Sequence, residues 1–422
     1  YKKGDLVVDM AQAKRGYANH VLYKGSNESK WAAMYAELVV NFPDMKGFKA
    51  QPVFGDKLFE GKLGEVTALR AARTSQVDEK APYYVIANTS ESAVKAVNQA
   101  LAEGKKVYLT DDGYIVDTPT FTSLLDRYAI YGDALYNIPQ GPTLKPLKVY
   151  APPHQFSWAG VDAPAHTALA LKNMGFEIVD RPEDADVIVL ESNNYDKSLV
   201  GLKPTIIVGG SAMQRLEKLG ILDGFDAERF KNGSDYEGLM KAVIQDQDPL
   251  TSGYKKDGLF YSNSGNWIAK IPANFRTLAS IAGSDFYIAG WWPGNEQLAN
   301  KVVAIAGTYN EKPLFVYAGN PTNRLHPVHF YRWISNAIFG SQLAELTDLS
   351  SPATPDPTYQ APSQTVLDWK PATVNPPAQT VVLTYKSQTL PQTGSQEKPA
   401  SFALAGLLIA GAAGLFLLKK KE

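Results

Sequence analysis

The sequence predicts an α/β protein: a doubly wound sheet, a smaller α/β domain ahead of it, a disordered spacer and a C-terminal transmembrane helix. Three observations predict it. Short apolar strands alternate with amphipathic helices in two stretches of the chain. Beyond about Leu349 the composition turns to Pro, Thr, Ser and Gln with little charge. Phe402 to Leu418 is an uncharged apolar run followed at once by Lys419, Lys420 and Lys421.

In chain order, the opening YKKGDLVVDM has no charged-then-apolar leader, and residues 5–10 read as an amphipathic strand already in progress. Residues 1–53 are therefore expected to be the tail of a longer protein. Residues 54–144 contain the smaller domain. There Tyr83 to Ala87 reads as a buried strand, and a helix capped by Thr89 or Ser90 places Ala93, Val94, Val97 and Leu101 on one face. Gly104 stops that helix and Val107 to Leu109 form the next strand, a β-α-β unit expected to be parallel and right-handed. Residues 145–345 hold the larger unit. Its strands are LKVYAPP, ADVIVLES, PTIIVGG, KVVAIAG and PLFVYAG, with helices over Ala163 to Met174, Ser211 to Leu219 and His326 to Phe339. Residues 346–389 form an extended spacer in which VVLTY is a possible strand, and residues 390–422 form the tail.

At 422 residues the chain suits two or three domains, and a formal net charge of −1 gives no electrostatic case for nucleic acid. It has no cysteine, which excludes disulfides, thiolate metal sites and a cysteine nucleophile.

Leu390-Pro391-Gln392-Thr393-Gly394, a polar spacer, an apolar run and a basic end follow one another in that order. The set resembles the LPXTG sorting signal of Gram-positive surface proteins. The resemblance implies that a sortase cuts between Thr393 and Gly394 and joins Thr393 to peptidoglycan, so the protein is secreted and covalently anchored to the wall. A helix over Phe402 to Leu418 would reach about 25 Å, enough to hold the substrate in the membrane until transfer, with the lysines on the cytoplasmic side. Pro391 suits a motif bound in extended form.

GFEIVDRPEDADVIVLES, PTIIVGGSAM, DPLTSGY, YIAGWWPGNEQLANKVVAIAG and FVYAGNPTNRLHPVHFYRWISNAIF carry a second resemblance. Residues 145–339 resemble a class I glutamine amidotransferase-like, flavodoxin-like domain. The version is that which follows the catalytic domain of some bacterial zinc carboxypeptidases of the carboxypeptidase A type. GDLVVDMAQAKRGYANHVLYKG and VVNFPDMKGF resemble the stretch just downstream of such a peptidase domain. The resemblance implies zinc and proteolysis in a domain upstream. This chain needs no cofactor of its own: His20, His154, His166, His326 and His329 are its only histidines and none begins an H-x-x-E.

Several residues are candidates within the chain. The amidotransferase resemblance puts Ser211 of Gly209-Gly210-Ser211-Ala212-Met213 where that family has its cysteine. His326 lacks the glutamate two residues on, so glutamine hydrolysis is not expected. Ser211 and His326 remain candidates for a serine hydrolase, against the simpler reading that Ser211 caps its helix. His326 and His329 form H-x-x-H on an expected helix, a pair too small for zinc and better suited to a core or interface. His154, Asp162 and His166 match no metal spacing, and Asp162 is expected to begin a helix with Pro164 in its first turn. Arg324 beside Gly-Asn-Pro is expected to hold the loop. Trp291 and Trp292, with Trp158, are the candidate glycan contacts, although alternation buries one of the pair.

The leading expectation is an accessory, non-catalytic C-terminal part of a wall-anchored zinc carboxypeptidase-like protein, docked on its upstream peptidase domain. A surface adhesin or wall-glycan-binding protein is the alternative, and a serine hydrolase using Ser211 the third.

Overall fold

The computed structural model describes residues 5–30, 39, 41–55, 59, 61, 63–65, 75–139, 142–156, 161–163, 166–230, 236–246, 248–343 and 380–383. The sorting signal at 390–394 and the apolar run at 402–418 lie outside these residues. So does the spacer, apart from the strand Thr380–Leu383, which pairs with Leu6–Val8 and Leu63–Glu65. Among the described residues no helix is long and apolar enough to cross a membrane.

The smaller domain contains β1 (Tyr83–Ala87), α1 (Glu91–Ala102), β2 (Tyr108–Leu109), β3 (Gly113–Asp117), α2 (Thr118–Leu125) and β4 (Gly132–Leu135). Ser90 is the cap of α1, its Oγ accepting the Ala93 amide, and Ala93, Val94, Val97 and Leu101 are buried. Gly104, at φ +71°, ends the helix, and its amide and that of Lys105 return to Leu101 and Ala100. The sheet order is β2-β3-β1-β4 with antiparallel neighbours throughout. β1 and β2 do run parallel, but β3 lies between them. A tight turn, closed by the Thr110 amide on Gly113 O, folds β3 straight back beside β2 and takes the place next to β1.

The larger unit begins with β5 (Lys148–Tyr150), α3 (His166–Asn173), β6 (Glu177–Val179), β7 (Val187–Leu190), β8 (Thr205–Val208) and α4 (Gly210–Leu219). It continues through β9 (Glu237–Ile244), β10 (Asp257–Ser262), β11 (Phe275–Ile281), β12 (Tyr287–Trp291), β13 (Val302–Tyr309) and β14 (Lys312–Tyr317) to α5 (Arg332–Gly340). Five strands pair in parallel in the order β6-β5-β7-β8-β14. Taken in chain order this is 2-1-3-4-5, the flavodoxin-like doubly wound arrangement. β7 and β8 are buried on both faces, as their unbroken apolar runs require.

Beyond β14 the same sheet turns antiparallel through β13, β11, β9 and β10. KVVAIAG thus enters as an antiparallel strand, not as a member of the wound half. Its link to β14 is a two-residue turn, with Asn310 at φ +49° and Glu311 at φ +60°, too short for any parallel crossover.

Two expected helices start elsewhere. Val161–Ala163 pairs antiparallel with His154–Phe156, so Asp162 lies in a strand and α3 begins only at His166. Asn323–Leu325 and Val328–Phe330 are single 3₁₀ turns, and α5 starts at Arg332. The H-x-x-H pair is therefore not carried on an α-helix.

The described residues between 5 and 53 pack in part on the larger unit. Asn41 caps the helix Phe42–Lys46, and Val39, Asn41 and Met45 are buried. Asn27 bridges Gly290 on β12, and Ser29 Oγ accepts the Trp292 amide at 3.0 Å.

Candidate functional site

In a 2-1-3-4-5 sheet the chain departs in opposite directions from the carboxyl ends of the first and third strands, which opens a crevice there. Here those strands are β5 and β7. The first residue beyond β7 is Glu191, and the helix that follows β5 opens with His166 and Thr167. The Glu191 carboxylate accepts the Thr167 amide at 3.0 Å and the Asn320 side-chain amide at 2.7 Å, and lies 3.7 Å from His166 Nδ1. It thereby supplies the negative charge that a helix N-terminus favours.

The segment leaving β14 closes the arrangement. Asn320 Oδ1 accepts both the amide and the hydroxyl of Thr322, and the Thr322 and Thr167 hydroxyls meet at 2.8 Å. The Arg324 amide donates to His166 Nδ1 at 3.1 Å. A backbone amide can only donate, so in neutral His166 the proton sits on Nε2. Arg324 and Leu325 both have left-handed backbone, at φ +50° and +59°, a conformation that side-chain-bearing residues adopt at a cost. Arg324 itself is exposed.

The neighbouring strand β8 ends in the Gly209-Gly210-Ser211 elbow. Gly209 sits at φ +88°, and a Cβ on Gly210 would fall 1.9 Å from Asn266 Nδ2, so both positions require glycine. Gly209, not Ser211, is the N-cap of α4. Ser211 stands exposed in the first turn and its hydroxyl bonds no histidine among the described residues. His326 is engaged elsewhere: its Nε2 meets Val39 O at 3.1 Å and its ring lies edge-on to Phe42. The Ser211–His326 pair is not brought together as a nucleophile and its base.

His329 is also a packing residue. Burial, with the Arg332 guanidinium beside it, depresses its pKa to about 3, so the ring is neutral. Arg332 is fully buried. Its guanidinium donates to the carbonyls of Asn88, Gly253 and His329 and lies 4.2 Å over the Tyr254 ring, which joins the two α/β domains. Trp292 is 1% exposed, with Tyr236 stacked on both it and half-buried Trp291, so the pair offers no open glycan platform. Among the described residues no group of three His, Cys, Asp or Glu is placed to hold a metal. The side chains of His154 and Asp162 are not described, and Trp158 lies outside the described residues.

Glu191, Asn320, Thr167 and Thr322 were not among the sequence candidates. Their signal was position: a polar residue directly after an apolar run buried on both faces, as in VIVLE and FVYAGN, marks the carboxyl edge of a parallel sheet.

Several solved structures are similar to parts of this chain. A GMP synthase component from Thermoplasma acidophilum is 14% identical over 46% of this chain and 92% of that one, with a TM-score of 0.32. A glutamine amidotransferase from Thermotoga maritima is 12% identical over 45% and 81%, with a TM-score of 0.28. A β-galactosidase from Bacillus circulans sp. alkalophilus is 11% identical over 48% of this chain and 32% of that one, with a TM-score of 0.30. No curated protein matches the chain. The LPXTG cell wall anchor motif matches residues 383–422. By that motif the chain is a secreted surface protein, processed by sortase and covalently anchored to the Gram-positive cell wall.

Proposed function

We propose that residues 5–343 are the accessory, non-catalytic body of a wall-anchored zinc carboxypeptidase-like protein, docking its peptidase domain and displaying it at the surface. The observation that carries this reading is the two-sided character of the N-terminal segment. Its inner side is buried against the larger domain at Val39, Asn41 and Met45. Leu6 and Tyr17 of the same segment remain 61% and 72% exposed, large apolar side chains suited to a further interface. The ordered resemblance to the stretch downstream of such peptidases supports a peptidase domain as the partner. On this reading zinc and peptide hydrolysis belong to that partner, since no histidine of this chain begins an H-x-x-E.

The test is the coding sequence upstream of Tyr1. An in-frame H-x-x-E, with a second histidine on the order of a hundred residues later, is the expected result. A signal peptide running directly into Tyr1 would overturn the reading and leave a displayed protein without a peptidase.

A further inference from the structure

The strand Thr380–Leu383 is the middle member of a three-stranded parallel sheet, between Leu6–Val8 and Leu63–Glu65. Val381 pairs with Leu6 on one side and Gly64 on the other, and Val382 with Val7 and Glu65, so both edges of the strand are used. Among the described residues the two outer strands pair neither with each other nor with any other strand. Each is three residues long, and strands so short do not hold together without a partner to take up their backbone groups. The slot between them therefore calls for one extended segment, recognised through its backbone as in strand addition. The sequence suits Thr380 to Leu383 to that place. The residues are β-branched or apolar, Pro376 and Pro377 stand just ahead of them, and no further proline, which would remove a ladder donor, follows until Pro391. Parallel pairing also demands a crossover of about a dozen residues or more, and residues 344–379 supply it.

We propose that the slot between Leu6–Val8 and Leu63–Glu65 is a docking site for the chain's own spacer strand, a clasp that fixes the wall-attached end beside the N-terminal segment. The connection through residues 344–379 holds the strand near its slot at an effective concentration on the order of millimolar, which favours it over the strand of a second copy. The consequence is one of reach. Thr393 lies ten residues beyond Leu383 but fifty beyond Leu343. At full extension the docked strand keeps the folded body within about 35 Å of the attachment residue, whereas release lets it move out to about 175 Å. The clasp thus turns a long spacer into a short tether and leaves residues 344–379 as a closed loop. It does not depend on a peptidase upstream, so the two stand or fall separately.

The test is disulfide trapping in the full chain, purified in mild detergent, whose lack of cysteine leaves an introduced pair no other thiol to meet. Val7 and Val382 are register partners, and paired strands lie about 4.8 Å apart, within the span of a disulfide. Oxidation of Val7→Cys with Val382→Cys by copper phenanthroline is expected to give a monomer of altered mobility on a non-reducing gel. It should form about tenfold faster or more than the disulfide of Val7→Cys with Thr389→Cys, which lies beyond the strand. Adding Val381→Pro removes a ladder donor and should slow trapping of the first pair about tenfold, while circular dichroism stays native. Equal rates for the two pairs, including no trapping of either, overturn the proposal, and so does trapping that the proline leaves unchanged. A disulfide-linked dimer would assign the slot to a second copy and equally overturn it.

Discussion

His329 shows how burial decides the role of a residue whose type suggests chemistry. In the sequence it is half of an H-x-x-H; in the structure it is a neutral ring beside a buried guanidinium. Its pKa is about 3 when folded against an ordinary 6.5, so between these values the unfolded chain binds the extra proton. Stability should therefore fall as pH drops below about 6.5, by at most ~1.4 kcal/mol per pH unit from this group. Urea unfolding of the wild type and His329→Gln at pH 7, 6, 5 and 4 measures this. The variant should lose one proton's worth of acid-side slope, and parallel profiles would mean that His329 is solvated. Arg332 could be read from sequence only as a cation. Its place among the carbonyls of Asn88, Gly253 and His329 depends on three segments that meet only in the folded chain.

At the level of elements, local signals are reliable where the backbone answers to its neighbours. Ser90 caps α1 and Gly104 ends it because both act within one helical turn. The start of α3 is not legible for the opposite reason. Its N-terminal charge partner is Glu191, more than twenty residues away, and no pattern near Asp162 announces it. The β8–α4 elbow gives a sharp contrast between neighbours. Gly210→Ala drives a methyl into Asn266 and should cost about 1–3 kcal/mol, as overpacked sites do. Ser211→Ala removes no cap and should stay within about 0.5 kcal/mol of wild type. Chemical denaturation of both variants checks this, and a large loss in Ser211→Ala would reveal a partner for the hydroxyl.

For the molecule as a whole, location rests on the tail and architecture on the sheet. The resemblance of Leu390 to Gly394 to a sorting signal implies attachment through Thr393, so Thr393→Ala is expected in the culture medium or membrane fraction instead of the covalent wall fraction. Immunoblots of lysozyme-released wall and of medium would measure it. A variant still covalently attached would show that another residue is the attachment point.

The sequence by itself determined the sorting signal, the cores of the buried parallel strands, the stop of α1 and the absence of an H-x-x-E, and it narrowed the cap of α1 to Thr89 or Ser90. Each of these is a contiguous string whose chemistry does not depend on what lies across the fold. The tertiary structure alone decided that β3 separates β1 from β2, that the wound sheet runs on into an antiparallel half, and that Trp292 is core. It alone brought His166, Glu191, Asn320 and Arg324 to one crevice. Strand order and burial are settled by which distant apolar surfaces cover one another, and a side chain's partners follow from that order, so neither is written in any local stretch of the chain.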